Sequence, residues 1–345
     1  MEGDLREKGL RRPTVTQVCI LFSLVLFIFI ILGFRVQKNE FYSGILITEF
    51  GLIMFPALVF LLVFKYDLKD VLRLNKASFL SFFLIICIML FAIPIAGIFN
   101  MANLWLVNSI FGKVIVEQTP VAENFAGLII NILVIGGSAG ICEEFLFRGV
   151  IQRGLERFGT TRSILLAAFL FSLTHLDFQK IFGTFFLGAL IGFIVYRTNS
   201  LYGGMLAHFT NNSVAVIISF GVTQFSKLFN GSRFDIAQSQ GDLSNLFSMI
   251  SRMPKAQLLI VVSFYGFILL IFVAIFIALM YAFLGTTRGK AERPSTPRSG
   301  KFFGRQLLWL LPGAALVSMI YFMEVMKFTG RTSQFVGFIR AVLGV

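Results

Sequence analysis

Charge is what this sequence has least of. Asp, Glu, Lys and Arg make up only 14% of its 345 residues, where a soluble globular chain carries about 25%. Apolar residues reach 57%, Phe alone occurs 43 times, and the mean hydropathy is +0.85. That excludes a water-facing globule and calls for lipid as the solvent. Cysteine is scarce as well. Cys19, Cys87 and Cys142 each lie inside an apolar stretch, which excludes a disulfide framework and a C-x-x-C metal site. A basic tract is also missing. The net charge is +13, but the Lys and Arg residues flank apolar segments. No nucleic-acid partner is expected; anionic lipid headgroups and orientation in a bilayer account for the excess. Histidine is scarce too, with two in the chain, His175 and His208.

What is present is a series of apolar runs, at about 14–34, 42–64, 78–100, 125–147, 163–178, 181–196, 202–220, 256–284 and 306–323. A membrane-crossing helix needs roughly 20 apolar residues, so the fifth, sixth and seventh runs are short. Barrel strands would alternate with period two, and these runs do not. The expected fold class is therefore all-α: a polytopic transmembrane helix bundle of about eight or nine helices. The first run is too long for a signal-peptide core and is read as a retained helix. With the N-terminus cytoplasmic, 19 of the 30 Lys and Arg residues fall on the inner side, the bias that sets orientation. The chain reads as a multi-pass protein of the cell membrane. It divides into N-terminal helices (1–124), a chemistry-bearing core (125–220), an extracytoplasmic connection (221–255) and C-terminal helices (256–345) with a basic, Pro/Ser-rich linker at 285–305.

Ionisable groups in transmembrane helices are costly, and each is a functional hypothesis by default. They concentrate in 143–212, as Glu143-Glu144-Phe-Leu-Phe-Arg148, Phe171-Ser-Leu-Thr-His175 and His208-Phe-Thr-Asn-Asn212. Glu144 and Arg148 stand i,i+4 and can pair. Phe171 shares a face with His175, and His208 with Asn212. Glu143 points about 100° from Glu144, so the two carboxylates can do different work. At 1.5 Å rise per residue, Glu143, His175 and His208 lie roughly 14–21 Å from the basic end of their helices. They come to similar depth only if the fourth helix runs on to about residue 157, with Arg148 inside the membrane.

These three motifs, in this order and each on its own helix, resemble the CPBP family: CAAX prenyl endopeptidases, bacterial relatives and proteins linked to bacteriocin immunity. The resemblance covers about residues 125–220. It implies an intramembrane endopeptidase acting on a membrane-associated protein or peptide, including prenylated CAAX-type chains. It assigns Glu143 as the base that activates water, His175 and His208 as groups that polarise water or oxyanion or bind a metal, and Asn212 as oxyanion donor. Glu144 and Arg148 would support them. Two histidines and Glu143 can supply three zinc ligands and leave a water position, and the same groups can work without a metal; no His-Glu-x-x-His is present.

Plainer readings stand beside these. Glu144–Arg148 fits a structural ion pair, and Asn211 competes with Asn212. Asp177 and Lys180 suit a turn after the fifth run. Glu49, in the second run, is a structural partner or a substrate-path group. Two other functions compete: a non-catalytic immunity or scaffold protein, and a proton-coupled transporter using the same glutamates and histidines as a relay. The site is expected to open towards the cytoplasm.

Overall fold

The computed structural model describes residues 12–115, 121–230, 249–291, 303–330, 337 and 339. Among these residues every regular element is helical. Eight helices are long and apolar enough to cross a membrane: α1 (Val15–Lys38), α2 (Phe41–Val63), α3 (Phe79–Phe111), α4 (Phe125–Phe158), α6 (Phe178–Thr198), α7 (Leu201–Phe225), α8 (Lys255–Thr286) and α9 (Gly304–Thr329). A shorter apolar helix, α5 (Thr160–Thr174), lies between α4 and α6. The chain is an integral multi-pass membrane protein.

The helix ends are set by local chemistry. Thr14 and Gln17 form a reciprocal capping box at the start of α1. Asn124 accepts from the Gly127 N–H at 2.9 Å to open α4. Gly112 ends α3 at φ 71°, a left-handed turn that glycine adopts without cost. α3 runs past the expected end near residue 100, and α4 reaches Phe158, as the depth argument required. The helix of α7 continues to Asn230, so the start of the expected connection at 221–255 is helical. Its centre, 231–248, and most of the 285–305 linker lie outside the described residues.

Four stretches widen from α to π turns: Phe29–Gly33, Ile47–Met54, Ile132–Ser138 and Phe145–Ile151. Such turns re-aim side chains and gather at functional sites. Glu143 and Glu144 sit between the last two, and Glu49 within the second.

Packing divides into two apolar clusters. One joins α1, α2, α4, α5 and α9 through residues such as Leu26, Leu61, Phe147, Phe171 and Ile320. The other joins α3, α6, α7 and α8 around Ile88, Ile194, Ala207 and Phe283. α8 keeps most of its apolar surface exposed, as a lipid-facing helix does. The end of the bundle around residues 70–75, 153–157 and 199–201 is closed by a buried ionic network. Glu156 accepts from Arg73 at 2.5 Å, Arg153 at 3.0 Å and Arg12 at 3.4 Å. Arg153 also donates to the Asp70 carbonyl, and Arg73 to the Asn199 side chain.

Candidate active site

Sequence periodicity separates Glu143 from Glu144 by about a quarter turn, and their surroundings differ accordingly. Glu144 is fully buried, and its Oε1 accepts from Arg148 Nη1 at 2.6 Å and from His208 Nδ1 at 2.9 Å. The supporting pair expected from i,i+4 spacing is thus present, and it also reaches the second histidine. Because a carboxylate only accepts, His208 carries its proton on Nδ1 here, and Nε2 is turned to Glu143 Oε2 at 3.8 Å. That span is too long for a direct hydrogen bond and suits one bridging water. Glu143 Oε2 is buried and has no hydrogen-bond partner.

Arg148 extends the arrangement to α6. Its Nη2 donates to the Gly188 carbonyl at 2.9 Å, and its guanidinium lies 4.5 Å over the Phe171 ring. Phe171 is the hub of the site. Its ring meets His175 edge-on at 4.9 Å and His208 at 5.7 Å. His175, just past the end of α5, directs Nδ1 to the Phe171 carbonyl at 3.1 Å. A carbonyl also only accepts, so Nδ1 is the protonated nitrogen and Nε2 keeps its lone pair. His175 and His208 therefore meet at one aromatic ring, and Glu143 faces His208 from α4. Close approach of α4 and α7 makes room for this: a Cβ at Gly140 would meet the Phe209 backbone at 3.2 Å, and one at Gly204 would meet Glu144 Oε2 at 3.0 Å.

Asn212, one turn on from His208 in α7, has partners of its own. Its Nδ2 donates to the Ile135 carbonyl at 3.4 Å, and its Oδ1 accepts from Asn211. It lines a cavity of about 250 Å³ between α4 and α7, with Asn131, Ile135 and Ser219. A second cavity, of about 90 Å³, lies between α1, α2 and α4 and has Glu49 and Glu143 in its wall. Both cavities lie away from the Arg73–Arg153–Glu156 network. None of the residues of that network lines either cavity.

A zinc site was one expectation for Glu143, His175 and His208. Among the described residues no group of three or more His, Cys, Asp or Glu is placed to hold a metal ion. His208 spends Nδ1 on Glu144, and His175 spends Nδ1 on a backbone carbonyl, so each offers one nitrogen. That is how a metal-binding histidine is oriented, but the side chains are not gathered around one point among the described residues.

The match to known proteins falls on this same region. Residues 125–214 match the family model described as type II CAAX prenyl endopeptidase, Rce1-like. The chain carries an Rce1-like domain. No curated protein and no solved structure matches the chain. The domain spans α4, α5, α6 and the first half of α7, and so contains all six residues singled out from the motifs. Its family implies a protease, acting within the membrane on protein substrates. The domain match leaves out Glu49, the other carboxylate of the smaller cavity, which motif reading did not select. One signal did mark it: Glu49 is the only acidic residue inside the second apolar run.

Proposed function

We propose that the Rce1-like domain hydrolyses a peptide bond of a membrane-associated protein or peptide by a glutamate-activated water. The observation that carries this reading is Glu143 Oε2, buried, unpartnered and facing His208 Nε2 at 3.8 Å. A water between them donates one hydrogen to each acceptor, which holds its oxygen lone pairs outward. Glu143 takes a proton as that oxygen adds to the scissile carbonyl carbon. The C–N bond then breaks, and the proton passes to the leaving amine. Glu144, fixed by Arg148, holds His208 in the tautomer that presents Nε2. His175, whose Nε2 keeps its lone pair, polarises the same water. Asn212 has a second amide N–H beyond the one given to Ile135, and it serves the oxyanion. The cavity beside Asn212 receives the substrate segment.

With the N-terminus cytoplasmic in the cell membrane, that cavity lies on the outer half of the bundle. Prenylated CAAX chains are the substrate class named by the family, and membrane peptides at large are the broader set. The test is a proteomic comparison of membranes holding wild-type protein or Glu143→Gln, scored for C-terminal or juxtamembrane cleavage products. Products confined to wild type support the reading; identical product sets overturn it. Exhaustive chelation is expected to leave cleavage intact, measured on the product so identified. Loss on chelation with recovery on zinc would replace the water-only mechanism by a metal-assisted one.

A further inference from the structure

Glu49 is the buried carboxylate that the mechanism above does not use. It sits in the π-turn stretch Ile47–Met54 of α2 and is 8% exposed. Its Oε2 is buried and has no hydrogen-bond partner, and the same holds for Oε2 of Glu143. Both residues wall the cavity of about 90 Å³, together with Gln37, Thr48, Thr174 and Phe147. Gln37 donates to the Thr48 hydroxyl oxygen at 3.1 Å, leaving the Thr48 O–H free to point elsewhere.

Neither oxygen reaches a protein donor. Left bare in a low-dielectric interior, each would carry the full cost of desolvation. Water resolves this, because one molecule donates to two acceptors. The cavity is polar on one wall and large enough for several waters at roughly 10–15 Å³ of accessible space each. An enzyme that hydrolyses inside a bilayer needs such a store, and this one ends on the proposed base.

We propose that this cavity is a water chamber of the hydrolytic site, and that Glu49 is a positioning residue anchoring water beside Glu143. The role in hydrolysis rests on the function proposed above; the presence of water does not. Glu49 touches neither substrate nor the breaking bond. It holds the water that Glu143 draws on, and Thr48 and Gln37 complete the holding.

The experiment uses full-length protein in detergent. X-ray radiolysis turns bound water into hydroxyl radicals, which mark adjacent side chains for mass spectrometry. Wild type should show labelling of Phe147 and Leu146, which line the chamber. Glu49→Leu should lose that labelling, and Glu49→Gln should keep it, because the carboxamide still binds water. On the cleavage product found by proteomics, Glu49→Leu should lower kcat at least about tenfold with KM unchanged, a positioning loss. Glu49→Gln should recover most of that rate, which a residue holding only packing would not show. Wild-type labelling in Glu49→Leu overturns the chamber. Lost labelling with wild-type kcat overturns the positioning role. If Glu49→Leu does not fold, Thr48→Val is the substitute, with the same labelling and kcat outcomes. Cleavage by Glu143→Gln at the wild-type rate sinks the proposed function alone, and the labelling still decides the chamber.

Discussion

Two buried carboxylate regions of this protein lie on either side of Arg148, and they are built oppositely. On the side of residues 70–75 and 153–157, Glu156 is matched by three arginines. On the other side, Glu49 and Glu143 each have an oxygen without a protein partner, and both residues line one cavity. Residue type is the same, so it does not distinguish structure from chemistry. Pairing does. A carboxylate surrounded by guanidinium groups has its lone pairs spent and its position fixed. A carboxylate left open to a small polar cavity can take and return a proton.

The largest effect that would break this comparison is at Glu143. Glu143→Gln keeps shape and removes basicity, and cleavage should fall by about 10²–10⁴-fold with a normal melting profile. Next is Arg148→Ala, which strands Glu144 beneath His208. The protein should lose about 3–5 kcal/mol, seen as low yield and a lower denaturation midpoint, and cleavage should drop with it. Normal yield and rate together would show that the pair organises nothing. Glu156→Gln should cost less, about 1–3 kcal/mol by thermal denaturation, because its arginines keep other partners. Its cleavage per folded molecule should stay at the wild-type level. A fall in rate there would mean that the paired region also serves chemistry. Smallest is Lys180→Ala. Its bridge to Asp177, at 3.0 Å, is half exposed on the lysine side, and removal should change stability by about 0–1 kcal/mol.

How much of this could be read from sequence depends on the length scale of each signal. The helices were legible because apolar runs report lipid contact directly. Their number stayed between eight and nine because the run ending at His175 folds as a 15-residue helix, and composition does not tell a short helix from a crossing. The Glu144–Arg148 bond was legible, being local and helical. The bond from Glu144 to His208 was not, because it spans 64 positions and needs α4 and α7 to meet at Gly140 and Gly204. Phe171 was visible as a neighbour of His175 but not as the ring shared by both histidines and Arg148. Glu49 carried only the general mark of a charge in an apolar run; its partner in the cavity comes from another helix.

The adjacent glutamates also bear on how such a protein changes over generations. Oε1 of Glu144 accepts from both Arg148 and His208, so a substitution at Glu144 disturbs folding and reaction geometry at once. Glu143 has an unpartnered oxygen and lines a cavity, and exchanging it leaves Arg148 paired with Glu144. On the proposed mechanism, catalysis is therefore the easier property to shed, and the scaffold the harder. A descendant could retire the chemistry by one codon at 143 and keep the bundle for recognition or protection. The same exchange at 144 would leave Arg148 buried without its carboxylate.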